Sequence, residues 1–185
     1  EYRMIGDDAA NFADVDANFF APEFIYSCTL ENLKPASVYQ FRVVNDSCAS
    51  SWQKLRTAGN GDFEMLIFSD SQCLDYGVWK DTADIAAKNF PEAELFVVNG
   101  DLVDTGQEIQ QWRDWYSAAA NLLRERIFAP VIGNHECYDT NWLPCAPTAY
   151  LNNFHLPANG LKDFDGYFYS FNYGAANFFV LNTQF

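Results

Sequence analysis

The sequence predicts an α/β domain built on a buried parallel sheet, preceded by an incomplete all-β sandwich. Three observations carry that prediction. Residues 1–58 hold short runs of alternating polarity separated by turn residues. After residue 59, three continuous apolar runs at 65–68, 95–98 and 129–132 alternate with segments of helical period. Each of those three runs ends in a short polar cluster. Continuous apolar runs bounded by turn signals suit strands covered on both faces of a parallel sheet. Alternation suits half-buried antiparallel strands.

Taken in order, residues 23–30, 37–45 and 52–57 read as strands, and Val38-Tyr39-Gln40-Phe41-Arg42-Val43 alternates most clearly. Asn32-Leu33-Lys34-Pro35 and Asn45-Asp46-Ser47 are turns between them. Three or four such strands do not close a sandwich. Ala58-Gly59-Asn60-Gly61-Asp62 is a linker by composition, which divides the chain into 1–58 and 59–185. Beyond it, helices are expected over 79–89 and 107–127. In the second, Ile109, Trp112, Tyr116, Ala119, Leu123 and Ile127 recur at helical spacing on one buried face. Arg124 and Arg126 fall in its last turn, where cations complement the helix dipole. The order β-α-β-α-β predicts right-handed crossovers. Residues 167–171 and 177–181 read as a hairpin around Asn172-Tyr173-Gly174.

Composition sets further bounds. Apolar residues make up 49% of the chain and aromatic residues 17%, enough to form a core. Lys and Arg number 11 against 25 Asp and Glu, a net charge of -14. That balance disfavours contact with nucleic-acid phosphates and docking on anionic membranes. A phosphate ligand would need metal ions or backbone N–H groups to reverse the local field. No run of 18 apolar residues exists to span a bilayer. The chain starts without Met, carries no signal peptide and stops after an apolar run, so it reads as a fragment at both ends. The five cysteines form no Cys-x-x-Cys pair. In an exported protein the expected disulfides are Cys28–Cys48 and Cys137–Cys145, with Cys73 unpaired. The alternative is five buried thiols acting as small apolar residues.

The polar clusters are Ser69-Asp70-Ser71-Gln72, Asn99-Gly100-Asp101-Leu102-Val103-Asp104 and Gly133-Asn134-His135-Glu136. Their spacing is that of strand–helix units, and ligands bind at the carboxyl ends of strands in open α/β sheets. The three clusters should therefore meet in one crevice. One Asp at a strand end is usually a helix cap or turn residue, and His135 alone could be an ordinary hydrogen-bonded histidine. Crowded carboxylates repel one another unless cations join them. Oxygen donors with a few imidazoles suit Mn, Fe or Zn.

Gly100-Asp101-Leu102-Val103-Asp104 and Gly133-Asn134-His135-Glu136 resemble the motifs of the calcineurin-like metallophosphoesterases. The stretches 29–35, 39–43, 167–174 and 178–181 resemble the branch similar to purple acid phosphatases, which carries a fibronectin type III-like domain in front. The resemblance covers about residues 24–185. It implies the first half of a four-layer metallophosphoesterase sandwich behind a partial fibronectin-like one. It also implies two metal ions, Fe, Mn or Zn, with Asp70 on the first, Asp101 bridging and Asn134 on the second. His135 would face the leaving group and Asp104 would orient its ring. The implied reaction is hydrolysis of a small phosphate ester, a monoester by preference, by a hydroxide held between the metals.

Three departures follow. The family's Asp-x-His reads Asp70-Ser71-Gln72 here, so Gln72 would offer an amide oxygen in place of an imidazole or bind only through water. The tyrosine ligand that colours purple acid phosphatases is replaced by Asp104, so no purple colour is expected. The further histidine ligands of the family would lie beyond Phe185; His155 matches no ligand motif and reads as a loop residue. Tyr138 and Trp142 would stack on a substrate ring or pack within their own loop. The rival readings are a diesterase or nucleotidase on the same scaffold, and a binding protein with a decayed metal site. The sequence leaves the oligomeric state open.

Overall fold

The alternation at residues 38–43 buries Tyr39, which is 6% exposed, and builds a three-stranded antiparallel sheet around it. This sheet has the order β1 (Tyr2–Met4), β4 (Val38–Phe41) and β5 (Gln53–Arg56). The Tyr39 hydroxyl accepts from Lys34 N–H at 2.8 Å. This tyrosine-corner bond pins the turn before β4, as in immunoglobulin-like sandwiches. The computed structural model describes residues 1–184 of the chain; Phe185, the end of the expected second part, lies outside the described residues.

A second antiparallel pair, β2 (Asp16–Phe20) and β3 (Glu23–Ser27), departs from that sheet. It lies against the helices of the second part. Asn18 Nδ2 donates to Asn152 Oδ1 at 2.7 Å, Arg113 forms an ion pair with Glu23, and Phe20 packs on the main core.

The second part begins with three parallel strands, β6 (Glu64–Phe68), β7 (Ala93–Asn99) and β8 (Ile127–Val131), in the order β6-β7-β8. Helix α1 (Tyr76–Asn89) joins the first two strands; α2 (Ile109–Ala118) and α3 (Ala120–Leu123) join the last two. Burial on both faces holds for the middle strand, where Leu95, Phe96 and Val98 are fully buried, and for the adjacent Ala129 and Pro130 of β8. The edge strand β6 leaves Ile67 68% exposed. Pro130 sits in the other edge strand, where a residue without N–H is tolerated. Its carbonyl accepts from the hydroxyls of Tyr150 at 3.0 Å and Tyr169 at 2.7 Å. No helix among the described residues is long and apolar enough to cross a membrane.

The single helix expected over 107–127 is two helices and a strand. Ala119, with φ -79° and ψ 0°, ends α2, and Ile127 opens β8 opposite Leu95. The chain must turn back there because a parallel crossover fixes where β8 begins. Arg124 caps α3, whereas Arg126 serves the other helix, donating to Ala87 and Phe90 carbonyls at the end of α1. The buried helical face includes Trp115, which the spacing argument omitted. Asp75 caps α1 by accepting from Gly77 N–H at 2.9 Å, so the helix starts three residues before the expected position.

After a short helix α4 (Thr148–Asn153), β9 (Tyr169–Tyr173) and β10 (Ala176–Val180) form the expected hairpin. Its two-residue loop is Gly174-Ala175, slightly later than the sequence suggested. Gly174 supplies the positive φ of +57° that the turn needs. The core gathers Trp79, Ala83, Phe96, Trp112, Trp115 and Leu122 between the parallel sheet and the helices. Trp79 and Trp115 stack with ring centroids 6.2 Å apart.

Candidate metal centre

The three polar clusters emerge from the same ends of β6, β7 and β8, and backbone bonds tie them together. Asp70 N–H donates to Gly100 C=O at 3.3 Å, and Gln72 N–H to Asp101 C=O at 3.1 Å. His135 N–H donates to Asp101 Oδ1 at 2.9 Å. Ser71 is fixed from behind: Trp115 Nε1–H donates to its hydroxyl at 2.9 Å, and that hydroxyl donates to Leu102 C=O at 3.3 Å.

Asp70 and Asp101 share an uncommon backbone state. Both have φ of 54°, the left-handed region that residues with a Cβ rarely occupy. Such conformations persist where the surroundings over-determine them, and they cluster at functional sites. Here they turn both carboxylates off the ends of buried strands. The close approach depends on glycine: a Cβ on Gly133 would fall inside the Asp101 carboxylate and backbone nitrogen, and one on Gly100 would meet Gly133 Cα at 2.8 Å.

Glu136 organises the centre from beneath. It is 0% exposed and accepts four backbone N–H bonds. Asp101 N at 2.9 Å and Gly133 N at 2.7 Å reach Oε2; Leu102 N at 2.8 Å and Val103 N at 3.3 Å reach Oε1. Burial pushes its carboxyl up to about 7, against the pull of those donors. Sequence reasoning placed Glu136 in a motif but gave it no role. The signal was there: two Gly-containing turns carry clustered N–H groups that need an acceptor.

The predicted residues are arranged as follows. Asp70 and Asn134 are exposed, Asp101 and Gln72 are half-buried, and all four lie on the interlocked strand ends. Gln72 Oε1 is buried without a hydrogen-bond partner. His135 differs from expectation in its restraint. Its Nδ1 lies 2.6 Å from the backbone carbonyl of Asp104, and 3.6 Å from that residue's carboxylate. A carbonyl only accepts, so Nδ1 carries the proton and Nε2 is the atom left for chemistry. The side chain of Asp104 is therefore not the main orienting group. Tyr138 and Trp142 pack edge-on to the His135 ring, with centroids 6.0 and 5.6 Å away. His155 is exposed, as read.

The donor set fits a hard or borderline cation in part. Two carboxylates and two amide oxygens are oxygen donors of the right class, and the orphaned Gln72 oxygen lacks any other partner. Among the described residues no group of three or more His, Cys, Asp or Glu side chains converges. A cavity of about 290 Å³ lined by Arg56, Gly59, Phe63, Glu94 and Tyr173 lies away from these strand ends, between the front sheet and the β9–β10 hairpin.

All five cysteines are free thiols in the structure. Neither expected pairing, Cys28–Cys48 or Cys137–Cys145, is formed. Cys28 lies beside Asn152 and His155, whereas Cys48 Sγ bonds Asn45 Oδ1 at 3.3 Å in a separate loop.

Two uncharacterized proteins of Mycobacterium tuberculosis, from strains CDC 1551 / Oshkosh and ATCC 25618 / H37Rv, are each 28% identical to the chain. Each alignment covers 84% of this chain and 33% of the relative, so the chain spans about a third of the length of these curated relatives. Among solved structures, a purple acid phosphatase isolated from yellow lupin (Lupinus luteus) seeds superposes with a TM-score of 0.78 at 15% identity. That match covers 99% of this chain and 39% of the lupin chain, and it shows a shared fold. The family model of the calcineurin-like phosphoesterases matches residues 63–184, which hold all three polar clusters, and the chain belongs to that family.

Proposed function

We propose that this chain contributes one half of a two-metal centre that hydrolyses small phosphate esters, with monoesters preferred. The observation that supports the reading best is the pair of left-handed aspartates, Asp70 and Asp101, locked side by side by Gly100, Gly133 and Glu136. Asp70, Gln72, Asp101 and Asn134 would hold the ions, Fe, Mn or Zn. When bound, such ions supply Lewis-acid activation of a phosphate oxygen and of water. The chain's own residues do the rest. Asp101 keeps one oxygen on His135 N–H. His135, held at Nδ1 by the Asp104 carbonyl, presents Nε2 to the leaving oxygen and, when both ring nitrogens are protonated, donates a proton there. The aromatic pair Tyr138 and Trp142 restricts the ring's tilt.

The front strands fit a fibronectin type III-like module, and the tyrosine corner at Tyr39 supports that assignment. Export from the cell fits the acidic, cysteine-bearing chain. The test of function is release of the aryl alcohol from an aryl phosphate monoester and the matching diester by metal-loaded protein. Faster monoester turnover that falls about 10²–10⁴-fold in His135→Ala is expected. Diester turnover faster than monoester turnover would replace the monoesterase reading. A rate unaffected by His135→Ala would remove the proton-donor role.

A further inference from the structure

We propose that Cys137 and Cys145 are a disulfide-forming pair that closes the loop flanking His135. The loop is a small antiparallel ladder. Tyr138 bridges Pro144, Asp139 N–H donates to Leu143 C=O at 2.9 Å, and Cys145 N–H donates to Cys137 C=O at 2.8 Å. That register sets Cys137 directly opposite Cys145, and opposed residues of an antiparallel pair point to the same face. Hydrogen-bonded partners in such a ladder have Cα atoms about 5.5 Å apart. Disulfides span about 4.4–6.8 Å between Cα atoms.

The bond would span residues 137–145, whose far end carries Trp142. That residue has a left-handed φ of 61° and is 53% exposed, and its ring packs on both His135 and Tyr138. Asp139 Oδ1 already accepts from Asn141 and Leu143 N–H and shapes the tip. The cross-link would fix the base of this loop and so hold the aromatic pair against His135. That consequence for turnover rests on the phosphoesterase reading; the cross-link does not.

The chemistry is exchange with a small disulfide such as oxidised glutathione. As thiolate, Cys145 attacks one sulfur of the oxidant, forms a mixed disulfide and expels one glutathione thiolate. Cys137, once deprotonated, attacks the Cys145 sulfur and expels the second. The two thiol protons end on the two released glutathiones, and the oxidant takes up both electrons. Both steps need thiolates and so run faster under alkaline conditions.

The test treats the protein with oxidised glutathione at alkaline pH, blocks free thiols with iodoacetamide under denaturing conditions, and maps peptides by mass spectrometry without reductant. The expected result is a Cys137–Cys145 linked peptide, lighter by two hydrogens than the reduced pair and absent in Cys145→Ser. Chymotrypsin cleavage after Trp142 or Leu143 should leave two fragments that separate only with dithiothreitol. Full alkylation of both cysteines, or pairing of either with Cys73, with stable glutathione or with another chain, would overturn the proposal. An intact cross-link in a protein that hydrolyses no phosphate ester would instead overturn the phosphoesterase reading alone.

Discussion

Replacing Glu136 by alanine should collapse the centre without touching any proposed metal donor. The substitution leaves four backbone N–H groups, on Asp101, Leu102, Val103 and Gly133, facing a hole in a region with no solvent exposure. A buried donor left unsatisfied costs about 1–3 kcal/mol. Water entering the hole can serve two of the four, and the Val103 bond is already long at 3.3 Å. The expected net loss is about 3–5 kcal/mol. For a chain of this size each 1 kcal/mol lowers Tm by about 2–4 °C, so the melting point should fall by roughly 10 °C. Because the same bonds hold Asp101 and Gly133 in register, metal affinity should fall by about 10–100-fold, the usual cost of losing outer-sphere support. Thermal melts of metal-stripped protein and equilibrium metal titrations measure the two effects separately. A Tm within about 2 °C of wild type would show that Glu136 does not organise these turns. A lowered Tm with unchanged affinity would show that the turns do not position the donors.

Other substitutions probe neighbouring claims. Gly133→Ala should abolish metal uptake, read by elemental analysis, because its Cβ has no room beside Asp101. Trp115→Phe removes the Nε1–H bond to Ser71 and should cost about 1–2 kcal/mol by denaturant melt. Asp104→Asn keeps the backbone carbonyl on His135 Nδ1, so the proton should stay on Nδ1 by nitrogen NMR and turnover should fall less than about 10-fold. A loss comparable to His135→Ala would return the orienting role to the Asp104 carboxylate.

Legibility of the fold followed the strength of the local signal. The three apolar runs, the linker and the final hairpin stood out because runs and turn residues are short-range features. Strands β1 and β2 were missed, because Tyr2–Met4 is three residues long and Asp16–Phe20 is mostly exposed. The helix after Gln107 was drawn too long because Ile127 continues a helical period that the crossover must break. The reach of β2–β3 onto α4 depends on contacts such as Asn18 with Asn152, far apart in sequence.

The site was legible as residue types and illegible as restraints. Asp70, Asp101, Asn134 and His135 were named from three strand ends. The left-handed backbones of Asp70 and Asp101, the Glu136 acceptor and the Trp115 brace arise from packing between elements, which no single segment encodes. The carboxylate of Asp104 looked like the partner of His135 because carboxylates commonly orient histidines. The turn instead brings the carbonyl of the same residue closer.

The central claim is that these strand ends hold metal through Asp101. Its most direct test is the metal content of wild-type chain and of Asp101→Asn after loading with Mn, Fe or Zn and removal of free ions. Bound metal in the wild type that is lost in the variant is the predicted result. Equal content in both, or none in either, would contradict it.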